Sequence, residues 1–71
     1  MTDLVFRSCR DERATITPRT SRGTAWLSDN YFRSMWDNPP IRLDTPVTLS
    51  LDGANELDAM ARGEGLHTEG L

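Results

Sequence analysis

Both tryptophans, the single tyrosine and one of the two phenylalanines lie in one short segment of this chain, residues 20–36. A chain of 71 residues hides only about 60% of the surface that its unfolded form exposes, so it has material for one small core. Because large apolar side chains supply most of the free energy of burial, we expect the core to be built around this segment. Chains this short usually gain further stability from disulfides, a metal or a partner subunit.

Cysteine and histidine content removes the first two of these supports. Cys9 is the only cysteine and His67 the only histidine, so one chain can form neither a disulfide nor a zinc site of cysteines and histidines. A nucleophilic site needs a base beside the attacking group, and His67 lies in a glycine-flanked segment. We therefore expect a non-enzymatic protein with no metal and no cofactor, supported by a partner subunit or another protein.

The start of the chain and its charge bear on location and partners. The first residues carry Asp3 and no basic or long apolar run, which predicts a cytoplasmic protein that does not enter membranes. All eight cationic residues are arginine. Residues 1–43 hold seven arginines and five carboxylates, whereas residues 44–71 hold one arginine and six carboxylates, giving net charges of +2 and −5. Such an uneven distribution can steer a charged partner or a second copy of the chain.

Two short patterns near the N-terminus predict a β-hairpin. Leu4, Val5 and Phe6 form an apolar run, and residues 14–17 alternate between apolar and threonine side chains, as a half-buried strand does. The polar residues 10–13 between them suit a tight turn. The alternative is that the first strand pairs elsewhere and the turn is a longer loop.

The aromatic segment itself predicts a helix. Three side chains can cap its first turn: Thr17, Thr20 and Ser21. Apolar side chains recur along it at the i, i+4 spacing of one helix face: Leu27, Tyr31 and Met35. Asp29 and Asn30 favour local turns, so the helix either runs to Trp36 or ends at Asn30. Two prolines at residues 39–40 break the chain in either case.

The second half predicts one strand and one further helix. Val47, Leu49 and Leu51 alternate strictly with polar residues. Asp52 is a candidate cap for a helix of residues 54–62, whose predicted water-facing side chains are Asn55, Glu56, Asp58 and Arg62. A glycine then ends the helix, and residues 67–71 form either a short strand or a frayed tail.

The order strand, strand, helix, strand, helix predicts an α+β fold in one domain spanning residues 1–71. We expect a small three-stranded, mainly antiparallel sheet with both helices on one face. Trp26 and Leu27 are predicted to belong to the core.

The remaining aromatic residues predict a surface that binds a protein partner, because tryptophan, tyrosine and arginine dominate binding hot spots. The candidate partner-binding residues are Tyr31, Phe32, Arg33 and Trp36. The partner is predicted to be another protein or a second copy of this chain.

Two alternatives involve nucleic acid. Arginines that bind phosphates beside aromatics that stack on bases would make the chain a nucleic-acid-binding accessory protein. The candidates for that role are Arg7, Arg10, Arg13, Arg19, Arg22 and Arg33, with Phe6, Trp26, Tyr31 and Phe32. A net charge of −3 opposes this hypothesis.

The second alternative is an acidic face that mimics nucleic acid, as some bacterial and phage accessory proteins of similar composition present to an arginine-rich site. Its centre would be Asp52, Glu56 and Asp58. Three further carboxylates would extend it into a continuous surface: Asp44, Glu64 and Glu69.

Overall fold

The structure is a computed structural model that describes residues 1–31 and 41–70. Its elements are, in chain order, β1 (Leu4–Ser8), β2 (Arg13–Pro18), α1 (Ser21–Asn30), β3 (Val47–Ser50), α2 (Leu51–Gly63) and β4 (Thr68–Gly70). The strands form one sheet in the order β3-β2-β1-β4. The β1–β2 and β2–β3 pairs are antiparallel, and the β1–β4 pair is parallel.

The predicted α+β class with two helices is confirmed, but the predicted three-stranded, mainly antiparallel sheet is wrong. The sheet has four strands and is mixed, because β4 pairs in parallel with β1. A short strand was one of the two alternatives predicted for residues 67–71, and it is the one observed; its sequence, Thr-Glu-Gly, shows no apolar alternation that would have decided between them. Gly70 has φ 101°, and a side chain there would collide with the backbone oxygen of Phe6. Glycine therefore allows the two backbones to approach.

The hairpin prediction is confirmed. Phe6 lies opposite Ile16 in the β1–β2 register, and the Arg13 N–H donates to the Arg10 carbonyl at 3.2 Å across the turn. Asp11 and Glu12 both have φ 58°, the left-handed geometry of the tight turn that follows the twist of paired strands. A glutamate at position 12 raises the conformational free energy of the turn, because its Cβ crowds the backbone at positive φ.

One face of the sheet carries the core. Side chains of β1, β2 and β3 on this face pack against both helices in a single apolar cluster that contains Leu4, Phe6, Ala14, Ile16, Trp26, Leu27, Val47, Ala54, Leu57, Ala61 and Leu66. The core positions predicted for Trp26 and Leu27 are confirmed. Strand alternation directs the other side chains to the opposite side, which we call the open sheet face. It carries Val5, Arg7, Arg13, Thr15, Thr17, Thr48, Ser50 and Glu69.

Helix α1 is the shorter of the two predicted alternatives. Thr20, one of the three predicted caps, accepts a hydrogen bond from the Gly23 N–H at 3.0 Å. The helix ends at Asn30, whose side-chain amide donates back to the Trp26 carbonyl at 2.7 Å.

Helix α2 begins three residues earlier than predicted. Ser50, and not Asp52, is its N-cap, and its Oγ accepts from the Gly53 N–H at 3.1 Å. The Leu51 N–H donates to the Glu12 carbonyl at 2.8 Å, so β3 passes directly into α2 and Leu51 is helical. Of the helices within residues 1–31 and 41–70, neither has the length and apolar character that crossing a membrane requires.

Candidate functional site

A cavity that opens to solvent lies between α2, the end of α1 and β3. We call it the α2 groove. Its volume is about 360 Å³, and it is lined by Asn30, Tyr31, Leu49, Gly53, Glu56, Leu57 and Met60.

One side of α2 forms the long wall of the α2 groove. Gly53, Glu56, Leu57 and Met60 follow the i, i+3, i+4, i+7 spacing that places side chains on one helical stripe. Leu57 is buried, whereas Met60 is 45% exposed. Gly53 contributes no side chain to the wall. The stripe therefore changes from a small residue at one end to a flexible, exposed apolar side chain at the other.

Tyr31 forms the opposite wall. Its N–H donates to the Leu27 carbonyl at 2.7 Å, which closes the last turn of α1. Its hydroxyl donates to the Thr48 carbonyl of β3 at 3.2 Å. The ring is half-buried and bridges the helix end to the sheet, so the contacts of its own chain hold it in place.

The rim of the α2 groove is acidic. Glu56 lines the cavity, and Asp52 lies one turn before it in the first turn of α2. Both side chains are exposed. Within the described ranges the salt bridges join Arg19 to Asp44 and Arg62 to Asp58, so neither Glu56 nor Asp52 has a cationic partner there.

Asp58 does not share this rim. Two positions along a helix correspond to a rotation of about 200°, and Asp58 is 9% exposed on the side away from Glu56. Its Oδ1 lies 3.2 Å from the Arg62 Nε, which also donates to Thr68 of β4 at 3.1 Å. The prediction that Asp58 faces water is wrong, because the carboxylate and Arg62 connect α2 to β4.

Among the predicted partner-binding residues, only Tyr31 can be located. Phe32, Arg33 and Trp36 lie outside the described residues. Tyr31, from the aromatic set, and Glu56, from the acidic set, line the same cavity. Leu49, Gly53, Leu57 and Met60 were not predicted for any site, and only the helical spacing of the α2 residues could have suggested that they share a surface.

The predicted arginine set is divided between different surroundings. Arg7 and Arg13 lie on the open sheet face, and Arg10 is exposed at the start of the hairpin turn. Arg19 pairs with Asp44 at 2.7 Å, and Arg22 donates to the Gly65 carbonyl at 3.1 Å. Phe6 and Trp26 are core residues, so neither is available to stack on a base.

Asp3 is a buried polar residue that no sequence pattern indicated. It is 5% exposed; its Oδ1 accepts from the Thr20 hydroxyl at 2.6 Å, and its Oδ2 from the His67 N–H at 3.0 Å. These two hydrogen bonds lower the pKa of the Asp3 carboxyl below its ordinary value of 3.8, and the bond from Thr20 has the larger effect. Burial of the carboxyl opposes them. Asp3 thereby connects the cap of α1 to the residue before β4.

The residues with reactive side chains lie apart. Cys9 is an exposed free thiol after β1, and His67 follows α2 with an exposed side chain. Among residues 1–31 and 41–70, no group of three or more histidine, cysteine, aspartate or glutamate side chains could hold a metal ion.

Comparison with protein-family models, with curated proteins and with solved structures finds no match to this chain.

Proposed function

We propose that the chain is a protein-binding module whose α2 groove takes one apolar side chain of a partner protein, with a basic partner residue placed against Glu56. The proposal includes the cytoplasmic location and the non-enzymatic, cofactor-free regulatory role that the composition predicts for a bacterial or phage accessory protein. The observation that carries it is the convergence of Tyr31, Met60 and Glu56 on one cavity.

The size and lining of the α2 groove support an anchor residue. A cavity of about 360 Å³ lies at the small end of the range for ligand sites and has room for one leucine-sized or phenylalanine-sized side chain. Interfaces draw most of their binding energy from a few anchors that fill such pockets. Leu49 and Leu57 form an apolar floor, against which the anchor can pack without intervening water.

The walls combine a fixed and an adaptable element. The Tyr31 side chain is held by the hydrogen bond of its hydroxyl to the Thr48 carbonyl, so less side-chain entropy remains to be lost when a partner packs against it. Met60 is 45% exposed, and methionine side chains repack readily around different apolar groups. This pairing suits a peptide or helix edge of a protein better than a rigid small molecule.

The acidic rim determines the charge of the partner. In the described part of the chain, neither Glu56 nor Asp52 forms a salt bridge, so both carboxylates can accept a cation from a partner. A partner arginine or lysine next to the anchor would supply that cation. Complementary charge around an apolar centre raises the association rate and excludes acidic competitors.

The test is selection of short peptides from a displayed random library on the immobilised protein. We expect the selected peptides to contain an apolar residue beside an arginine or lysine. Met60→Glu should weaken their binding by at least about tenfold, roughly 1.4 kcal/mol, because it places a charge in the cavity. Ala59→Glu is the matched control: it adds the same charge to an exposed position of α2 outside the lining, and it should leave binding nearly unchanged.

Two results would contradict this function. Peptides that bind the Met60→Glu and wild-type proteins equally well would show that the α2 groove is not the binding site. Concentration-dependent dimerisation that Met60→Glu abolishes and Ala59→Glu does not would show that the groove takes a second copy of the chain instead of a different protein.

A further inference from the structure

The open sheet face lies on the opposite side of the sheet from the α2 groove and has a different chemistry. Its described side chains include two arginines and the hydroxyl groups of Thr15, Thr17 and Thr48. It consists of the strand side chains that alternate with those of the core face, and neither described helix covers it. We propose that this face binds the phosphate backbone of a double-stranded nucleic acid without reading its sequence.

In the described ranges, neither Arg7 nor Arg13 takes part in the salt bridges or in the side-chain hydrogen bonds. Arg7 lies opposite Thr15, and Arg13 is two residues from Thr15 on the same strand. Such diagonal neighbours are about 7–8 Å apart, so both guanidinium groups can contact one short run of phosphates.

The hydroxyl groups support a phosphate ligand. Arginine, serine and threonine side chains are the usual donors to phosphate oxygens in protein–nucleic acid complexes. The carboxylates closest in sequence lie at the margins of the face: Glu69 is on the edge strand β4, and Asp11 and Glu12 are in the hairpin turn. Arg7 and Arg13 lie at the turn end of the face, and its middle carries the hydroxyl groups of Thr15 and Thr17.

The shape of the face decides between classes of partner. A protein partner needs a pocket for an anchor residue, and the described cavity lies on the helix side of the sheet. A single-stranded nucleic acid gains much of its binding energy by stacking on aromatic side chains, and no aromatic residue points to this face from the described strands. A duplex keeps its bases stacked internally and offers its phosphates, which need only surface donors.

The experiment measures binding of a short fluorescent duplex DNA of mixed sequence by anisotropy over a series of salt concentrations. Two or three phosphate contacts predict a slope of log affinity against log salt of about −2 to −3. The Arg7→Gln/Arg13→Gln variant should lower the magnitude of that slope by about 2. Arg42→Gln, which removes the same type of charge from an exposed loop, should leave the slope unchanged.

A gain of binding provides a second, independent readout that does not depend on removing side chains. Thr48 is exposed on β3 and faces the same side as Thr15. Thr48→Arg should increase the magnitude of the slope by about 1, with an unchanged circular dichroism spectrum.

Three results would overturn the proposal: no binding at low salt, an equal loss in Arg42→Gln, or tighter binding of a single strand of the same length. Tighter binding of poly-glutamate than of the duplex at equal charge concentration would also overturn it, because the face would then prefer acidic protein to nucleic acid.

Discussion

The α2 groove and the open sheet face lie on opposite sides of one small sheet, and they differ in shape and in charge. The groove is concave, with an apolar floor and the carboxylates of Asp52 and Glu56 on α2. The open face is strand surface with hydroxyl groups, Arg7 and Arg13. The uneven charge along the sequence thus becomes a difference between two surfaces, because β1 and β2 come from the basic half and α2 from the acidic half.

This difference shows how a small domain can serve two kinds of contact. A helix packed on a sheet leaves concave edges where apolar side chains meet, and such edges suit anchor residues of protein partners. An uncovered sheet face offers only alternate side chains at regular spacing, which suits repeated, shallow contacts. A sheet with both described helices on one side can therefore offer both kinds of surface without additional residues.

The largest expected effect compares how much the two sides of the sheet contribute to the free energy of unfolding. Phe6 is fully buried beneath the helices and Val5, its neighbour on β1, faces the open side at 8% exposure. Phe6→Ala should lower the free energy of unfolding by roughly 3–5 kcal/mol, whereas Val5→Ala should cost roughly 1–2 kcal/mol for two methyl groups. Urea denaturation measures both. Equal losses would show that the open face is covered as fully as the core face.

A second, smaller effect concerns the link between the two layers. Thr20→Val removes both the cap of α1 and the hydrogen bond to Asp3, and it should cost about 1–3 kcal/mol. Thr24→Val is the matched control, because the Thr24 hydroxyl makes only a bond to the Thr20 carbonyl at 2.8 Å in its own helix. If the control lost as much stability as Thr20→Val, the connection through Asp3 would contribute nothing.

The pH dependence of stability follows from the lowered pKa of Asp3. A carboxyl whose pKa is lower in the folded than in the unfolded chain stabilises the fold above its unfolded pKa, near 3.8, and this contribution is lost as the pH falls through the folded value. Asp3→Asn should therefore be less stable than the wild type at neutral pH, with a difference that shrinks below pH 4. A difference that is constant from neutral to acidic pH would exclude this role.

The sequence predicted the elements with strong local patterns. The hairpin, the cap at Thr20 and the core positions of Trp26 and Leu27 follow from periodicity and capping chemistry. The burial of Asp58 does not, and a strand within residues 67–71 was only one of two alternatives, because both depend on contacts between distant segments: β4 is held by backbone pairing with β1, and Asp58 is joined to β4 through Arg62.

The candidate groove was predictable only in part. Tyr31 and Glu56 were selected for different reasons, one as an aromatic anchor and one as a member of an acidic cluster. Their convergence depends on where α1 ends and where α2 begins, and helix boundaries are the least certain feature of a sequence pattern. The shift of the α2 cap from Asp52 to Ser50 did not change the helical stripe that contains Glu56, because its spacing along the chain is fixed.

The smallest effect sharpens the contrast at the margin of the open sheet face. Glu12 has φ 58° in the hairpin turn, a conformation that glycine adopts without strain. Glu12→Gly should therefore raise the free energy of unfolding by about 0.5–1 kcal/mol. It also removes a carboxylate beside the arginines, so duplex binding at low salt should strengthen.

Glu69→Gln separates the two effects, because it removes a carboxylate from the β4 margin without altering the turn. It should strengthen binding with little change in stability. If Glu12→Gly left stability unchanged, the turn would not be the source of strain, and if neither variant strengthened binding, the marginal carboxylates would not influence the open face.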